Sequence, residues 1–174
     1  MMRIAWTSLP TPVGTLILVE HQGRPLVVEF SQRGRSMKWI ERLRVQHPGV
    51  TIDPGPCPAT AGWLEAYFQR RPRSFAYPDY LADYFQPSAA EQAVWQALCR
   101  IPVGETRSYE AIAELTGHPA RVVGQASGAN HLAILLPCHR VVGKDGALVG
   151  YGGGLQRKRW LLDHELRMTG LVLR

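Results

Sequence analysis

At 174 residues, 45% of them hydrophobic, the chain has enough apolar content for one large domain or two small ones and needs no disulfide staples. Its three cysteines, Cys57, Cys99 and Cys138, are odd in number and lack a Cys-x-x-Cys pair, which argues against a disulfide framework or zinc ribbon and for reduced thiols. The net charge of +6 is compatible with a nucleic-acid partner without requiring one. Residues 1–10 show neither the charged start nor the apolar core of a secretion signal, and no apolar stretch approaches bilayer length; the expectation is a cytoplasmic protein with no membrane partner.

The first part reads as a strand meander followed by helices. Short β-rich runs at 4–7, 15–20 and 26–30 are separated by Pro10-Thr11-Pro12-Val13-Gly14 and Gln22-Gly23-Arg24-Pro25. Met37, Ile40 and Leu43 then recur at helical spacing behind Ser36, and His47-Pro48-Gly49 stops that helix. Residues 53–58 read as a proline-rich loop. Residues 61–70 read as a second helix with Leu64, Tyr67 and Phe68 inward, halted by Arg71-Pro72-Arg73. Composition shifts after Tyr84-Phe85-Gln86-Pro87, which divides the chain into domains at 1–86 and 87–174.

Ser88 predicts a helix cap, with Glu91 at the capping-box position and Val94, Trp95 and Leu98 inward over a helix reaching about Arg100. Ser108 caps a shorter helix over 109–115, with Ile112 and Leu115 buried; Thr116-Gly117-His118-Pro119 turns the chain, and a third helix starts at Ala120. Two short helices about a glycine turn form a helix-turn-helix pattern. The second is unusual, because Gly124, Ala126, Ser127 and Gly128 stand where a helix that reads bases carries long polar side chains. Each glycine costs a helix about 1 kcal/mol relative to alanine. Two explanations serve: a narrow nucleic-acid groove met without base readout, or a neighbouring helix packed close. Arg121 opens this helix, and Arg140, Lys144, Arg157, Lys158 and Arg159 follow with Asp145 as the one acid between Arg121 and Arg159. Such a run is either a phosphate-tracking surface or a solvated basic face.

The run Leu135-Leu136-Pro137-Cys138-His139-Arg140-Val141-Val142 sets a thiol beside an imidazole behind a rigid proline. A thiol is a weak nucleophile until it ionises, and a neighbouring histidine promotes that by taking the proton or stabilising the thiolate. Cys57 and Cys99 lack such a neighbour and read as plain thiols.

Together these residues resemble the O6-alkylguanine-DNA alkyltransferases, the methylated-DNA–protein-cysteine methyltransferases. The resemblance runs from about Ala93 to Glu165 and rests on several motifs in order. They are Val94-Trp95, Ile101-Pro102-Val103-Gly104-Glu105-Thr106, Ser108-Tyr109, Arg121-Val122-Val123-Gly124, Asn130, Pro137-Cys138-His139-Arg140-Val141-Val142, Gly150-Tyr151, Gly153-Gly154-Leu155, Lys158 and Trp160-Leu161-Leu162-Asp163-His164-Glu165. It implies an α/β (α+β) fold, with an N-terminal ribonuclease-H-like sheet domain and a C-terminal winged helix-turn-helix-like domain.

The resemblance further implies single-turnover, irreversible transfer of an alkyl group from O6-alkylguanine, or O4-alkylthymine, in flipped-out duplex DNA to Cys138. In it His139 takes the thiol proton through a water, Glu165 orients the imidazole, Asn130 bridges the site to the recognition helix, and Tyr109 protonates the departing guanine. Arg121, Gly124, Ala126, Ser127 and Gly128 would contact DNA, with Arg121 filling the vacated stack. Val141, Tyr151, Gly152, Gly153 and Lys158 would line the substrate pocket, the carbonyls of Cys138 and Val141 reading the exocyclic amine. No cofactor and no metal are implied, and a monomer acting on double-stranded DNA is expected. Gly152 stands where some relatives carry serine, and Gly152-Gly153-Gly154 is expected to make this loop mobile and tolerant of adducts bulkier than methyl. An alkylation sensor or DNA-binding regulator is the alternative of another class.

Overall fold

Two turns in the first 25 residues fold three β-rich runs into a meander. The computed structural model describes residues 2–32, 34–71 and 73–170. Strands β1 (Arg3–Leu9), β2 (Leu16–His21) and β3 (Arg24–Phe30) pair antiparallel in sequence order, Trp6 opposite Val19 and Leu18 opposite Val28. A fourth strand, β4 (Thr51–Pro54), pairs parallel to β1 and gives the sheet order β3-β2-β1-β4. It replaces part of the loop expected at 53–58. Four residues with two polar side chains and a terminal proline carry no strand pattern; only an edge position tolerates them, because an edge strand leaves half its backbone groups unpaired.

Helix α1 (Arg35–Gln46) buries Ser36, Trp39, Ile40 and Leu43, an i, i+3, i+4, i+7 stripe. Ile40 and Leu43 lie inward as expected, and Met37 does not. Trp39 occupies the inner face, Met37 is 56% exposed, and Gly34, with φ 63°, takes the cap position in place of Ser36. Helix α2 (Pro58–Phe68) begins with proline in its first turn and buries Leu64 and Tyr67, with Phe68 half-buried. It ends two residues before the expected Arg70, whose φ of 58° already leaves the helical region; Pro72 of the expected stop lies outside the described residues. A five-residue helix, α3 (Leu81–Phe85), is too short to show a period and was not expected from the sequence. Helices α1 and α2 both pack on the sheet, and Leu16, Leu18, Val19, Leu26, Val27 and Val28 are fully buried beneath them.

The chain divides into two compact units: Met1–Gln69 with Pro78–Gln86 and His131–Leu135, and Arg70–Tyr77 with Pro87–Asn130 and Leu136–Arg174. In the first, residues 131–135 run beside β3: Val28 N–H donates to His131 O, Ala133 N–H donates to Val28 O, and Leu132 bridges Val28 in parallel. Ile134 sits at φ 73° with Leu135 N–H donating to Ala133 O, a γ-turn that a β-branched residue adopts only under strain.

The second unit is helical. Helix α4 (Ala89–Cys99) starts at the full Ser88–Glu91 capping box and buries Val94, Trp95 and Leu98 as expected. A two-residue strand, β5 (Arg107–Ser108), leads into α5 (Tyr109–Thr116), where Ser108 accepts from Ala111 N–H. Ile112 is buried, but Leu115, about 60° round this short helix, is 63% exposed, contrary to expectation. Gly117, at φ 71°, closes α5, and α6 (Ala120–Gly128) follows after Pro119. The strand β6 (Val141–Val142) pairs parallel with β5, and α7 (Leu155–Met168) ends the described chain. The mixed α/β class, the ribonuclease-H-like sheet and the helix-turn-helix with its small β5–β6 ribbon agree with the fold expected from the sequence. No helix among the described residues is long and apolar enough to cross a membrane.

Candidate active site

Local hydrogen bonds build the turn that presents Cys138. Pro137, at φ −85°, leads into one 3₁₀ turn over Cys138–Arg140. Cys138 N–H donates to Leu136 O (2.9 Å), Arg140 N–H to Pro137 O (3.0 Å) and Val141 N–H to Cys138 O. Cys138 is buried there. The buried side chain of Asn130, just beyond α6, donates from Nδ2 to Leu136 O (2.9 Å) and to Cys138 Sγ (3.1 Å). One amide thus ties the thiol to the turn and hydrogen-bonds its sulfur, which favours the thiolate.

His139 and Glu165 are both fully buried and meet at 2.6 Å between Nε2 and Oε1. Arg140 grips the same carboxylate bidentately, Nε to Oε2 at 2.8 Å and Nη2 to Oε1 at 3.0 Å, and sends Nη1 to Ile101 O at 2.5 Å. Gly104 N–H adds a fourth donor to Oε2 at 3.3 Å. Burial works to raise the Glu165 pKa, but His139 and Arg140 outweigh it and hold the carboxyl well below its usual range. Glu165 is therefore an anion, His139 donates Nε2–H to it, and Nδ1 is left as the basic nitrogen. Nδ1 is buried and accepts no hydrogen bond from the described residues. Gly104 at φ 81° suits glycine alone: a Cβ there would lie 2.4 Å from Thr169 Cγ2.

Tyr109, the first residue of α5, is half-buried, and its phenol pKa is raised by burial and then by the charge of Cys138. The phenol keeps its proton and can donate it. A Cβ on Gly150 would stand 3.8 Å from Tyr109 Oη, so the 149–152 loop lies against this hydroxyl. Gly154 N–H donates to Tyr151 O (2.9 Å) and Arg157 Nη1 to Gly153 O (2.9 Å). Gly153 is buried, while Tyr151 and Gly152 are half-buried.

Lys158 lies inside the fold. Its side chain is fully buried in α7, and Nζ donates to the carbonyls of Val141 (2.5 Å), Val149 (2.9 Å) and Gly150 (3.1 Å). All three protons serve backbone, so Lys158 supports the loop through its carbonyls; Val141, also buried, has its carbonyl engaged by this ammonium. Burial lowers the Lys158 pKa, and the Cys138 charge opposes that shift. The basic run is smaller than the sequence suggests, for Arg140 and Lys158 are both internal; Arg121, Lys144 and Arg159 remain exposed.

On α6, Arg121, Gly124, Gln125 and Gly128 are exposed and Ser127 is half-buried. Ala126 does not belong to this outer face. It is buried, and its carbonyl accepts from Trp95 Nε1 at 2.8 Å, because the inner stripe of α6 runs through Val123 and Ala126. A Cβ on Gly124 or Gly128 would meet nothing within 4 Å, so no neighbouring helix among the described residues explains these glycines. The other thiols are held protonated: burial and Glu20 push Cys57 up to about 11, and burial pushes Cys99 up to about 12. Sequence reasoning missed Arg140 and Gly104 as partners of Glu165. The place of Arg140 directly after His139 was the available signal for the first, and nothing local marks Gly104 as a partner of a residue 61 positions on.

The turn therefore holds a thiol bonded by an amide and an imidazole oriented by an anion, and Tyr109 on α5 adds a phenol that feels the charge of the sulfur, a set suited to nucleophilic transfer onto sulfur. The family model described as the DNA binding domain of 6-O-methylguanine DNA methyltransferase matches residues 89–167. The chain is 36% identical over 172 residues to a methylated-DNA–protein-cysteine methyltransferase of Salmonella typhimurium, covering 95% of this chain and 97% of that one. It is 41% identical over 175 residues to the protein of that name from Mycobacterium leprae, covering 95% and 96%. A crystal structure of Mycobacterium tuberculosis OGT in complex with DNA is similar at a TM-score of 0.75 and 36% identity, covering 95% of this chain and 94% of that chain. On the whole length of the chain and the architecture of its site, it belongs to the methylated-DNA–protein-cysteine methyltransferase family.

Proposed function

We propose that this protein repairs duplex DNA by direct reversal, moving an alkyl group from the O6 of guanine to Cys138 in a single, irreversible turnover. The observation that carries the reading is the buried turn in which Asn130 Nδ2 lies 3.1 Å from Cys138 Sγ while the adjacent His139 is fixed by Glu165 at 2.6 Å.

The thiolate attacks the alkyl carbon in line, the carbon–O6 bond breaks, and the electron pair leaves on guanine. His139 Nδ1 receives the thiol proton, through a water as the family resemblance implies. Tyr109 gives its phenol proton to the guanine ring as the bond breaks and recovers one from the imidazolium, so the thiol proton ends on the base. Thiol, base and DNA balance the reaction without a cofactor. The Tyr151, Gly152 and Gly153 loop faces the flipped base, and Lys158 and Val141 hold that loop in register.

The DNA partner meets α6. Arg121 enters the stack vacated by the flipped nucleotide, an extrusion costing a few kcal/mol, and the open faces at Gly124 and Gly128, with Ser127, admit a groove wall. Ala126 supports this surface from behind. A monomer acting in the cytoplasm completes the reading.

The test is on the DNA. A duplex carrying one O6-methylguanine, incubated with a slight excess of protein and digested to nucleosides, should return guanine in an amount that never exceeds the protein supplied. Persistent O6-methylguanine, with tight binding retained, would favour the sensor alternative.

A further inference from the structure

The outward face of α6 carries two rows of residues four apart: Gly124 with Gly128, and Arg121 with Gln125, all four exposed. Gln125 has no part in the reaction described above. Its side-chain amide bonds to no other group among the described residues, and Arg121 has no ion pair among them. Gln46 and Gln92, by contrast, donate from Nε2 to Phe85 O (3.3 Å) and Pro87 O (3.2 Å). The two rows on α6 suit different contacts. A minor groove is about 6 Å wide, whereas a helix with its side chains is about 10–12 Å across. The helix approaches such a groove closely only where its side chains are cut back, as at Gly124 and Gly128, where a Cβ would meet nothing within 4 Å. With the backbone that close, a glutamine in the neighbouring row reaches past the groove edge to the base pairs.

We propose that Gln125 reads the base pair about two steps from the flipped nucleotide, favouring pairs that carry an N2 amine, G·C over A·T. The role rests on the reading of α6 as the DNA-contacting helix with Arg121 in the vacated stack, and deepens it. A glutamine amide donates through nitrogen and accepts through oxygen. Every base pair offers acceptors on the minor-groove floor, but the N2 amine of guanine is the one donor there. The amide oxygen of Gln125 therefore finds a partner at G·C and none at A·T. The position follows from the helix. Arg121 and Gln125 are four residues apart, about 6 Å along the axis, against about 3.4 Å per base pair. Because α6 leaves Arg121 in one direction, the preference falls on one side of the lesion. A face otherwise built to fit groove shape thus reads one pair, and damage in different sequence contexts is repaired with different efficiency.

The test follows single-turnover transfer over a range of protein concentrations on duplexes with one O6-methylguanine. The second base pair on each side of the lesion is in turn G·C, inosine·C, A·T or 2,6-diaminopurine·T. Inosine lacks the N2 amine of guanine and diaminopurine carries one, so the series isolates that amine from the other differences between the pairs. Wild type should half-saturate at a concentration about threefold or more lower on the two amine-bearing pairs, on one side of the lesion, as one net hydrogen bond allows. In Gln125→Ala, a truncation at an exposed position, the four pairs should become equal. Equal half-saturation of wild type on all four pairs overturns the proposal, and so does a preference that survives in Gln125→Ala. A loss in Gln125→Ala that is uniform over the series also overturns it, since that is the mark of a phosphate contact. Conversion of O6-methylguanine to guanine at protein excess is scored on the same duplexes. Its absence would sink the repair reading, whereas full conversion with flat half-saturation sinks the role of Gln125 alone.

Discussion

His139 and Glu165 share a 2.6 Å hydrogen bond between two fully buried side chains, and the carboxylate in that bond also takes both prongs of Arg140. Removing the charge at position 165 therefore does two separable things. Glu165→Gln leaves Arg140 buried without its anion, which should cost about 3–5 kcal/mol in urea unfolding. It also unseats the orienter of the base, and alkyl transfer in the protein that still folds should fall about 10²–10⁴-fold. The pH dependence has a definite sign. A carboxyl whose folded pKa is depressed stabilises fully above its ordinary value of 4.5 and loses that contribution as pH falls toward the folded value. Acid titration of stability below pH 4.5 should be shallower in Glu165→Gln than in wild type.

His131 makes the opposite chemical case, an imidazole kept neutral. It is fully buried between Trp39 and Phe85, bonded through Nδ1 to Leu26 O at 2.7 Å, and burial pushes its pKa down to about 4. The unfolded chain binds a proton here near 6.5 and the folded chain does not, so stability is complete above 6.5 and declines as pH falls toward 4, by about 3 kcal/mol. His131→Phe should be less stable at pH 7, having lost a donor to Leu26 O, by about 1–3 kcal/mol. Its stability between pH 6.5 and 4 should nevertheless be flatter; a slope equal to wild type would assign the acid sensitivity elsewhere.

On the proposed reading, Asn130 and Tyr109 act on transfer and not on DNA affinity. Asn130→Asp replaces a donor to sulfur with a negative charge and should slow transfer more than Asn130→Ala does, each by at least about tenfold, since one lost charge-assisted hydrogen bond is roughly 1.5–3 kcal/mol. Tyr109→Phe removes the proton donor and should likewise lower the single-turnover rate while the dissociation constant for methylated duplex stays within about twofold. Stopped-time transfer assays beside fluorescence anisotropy separate the two quantities.

Arg121, exposed at the start of α6, carries the DNA prediction. Arg121→Ala should weaken binding to a lesion duplex about tenfold and reduce the salt slope of log K by about one if the guanidinium neutralises a phosphate. A loss of affinity with an unchanged slope would place Arg121 in the base stack instead. Unchanged affinity would remove α6 from the interface.

Much of this was readable along the chain, for reasons that differ by element. The Ser88–Glu91 box, the Ser108 cap and the Gly117 turn are local codes, set by side chains within four residues of the backbone they satisfy, and the structure repeats them. Proximity of Cys138 to His139 is likewise sequential. What was not readable depends on tertiary partners. Glu165 serves Arg140 as well as His139, and that sharing exists only once α7 packs on the 3₁₀ turn. The inward turn of Lys158, the burial of Ala126 and the strand β4 follow from packing that a charge count or a helical period does not encode. Met37 and Trp39 show the same limit, since two apolar residues compete for one face and volume decides.

The most direct test is the intact mass of the protein after reaction with duplex DNA bearing O6-methylguanine, followed by peptide mapping. The account predicts the gain of one methyl group per molecule, on Cys138 alone, absent in Cys138→Ser and blocked by prior capping of that thiol. No gain in mass, a second methyl, or a methyl on Cys57 or Cys99 would contradict it.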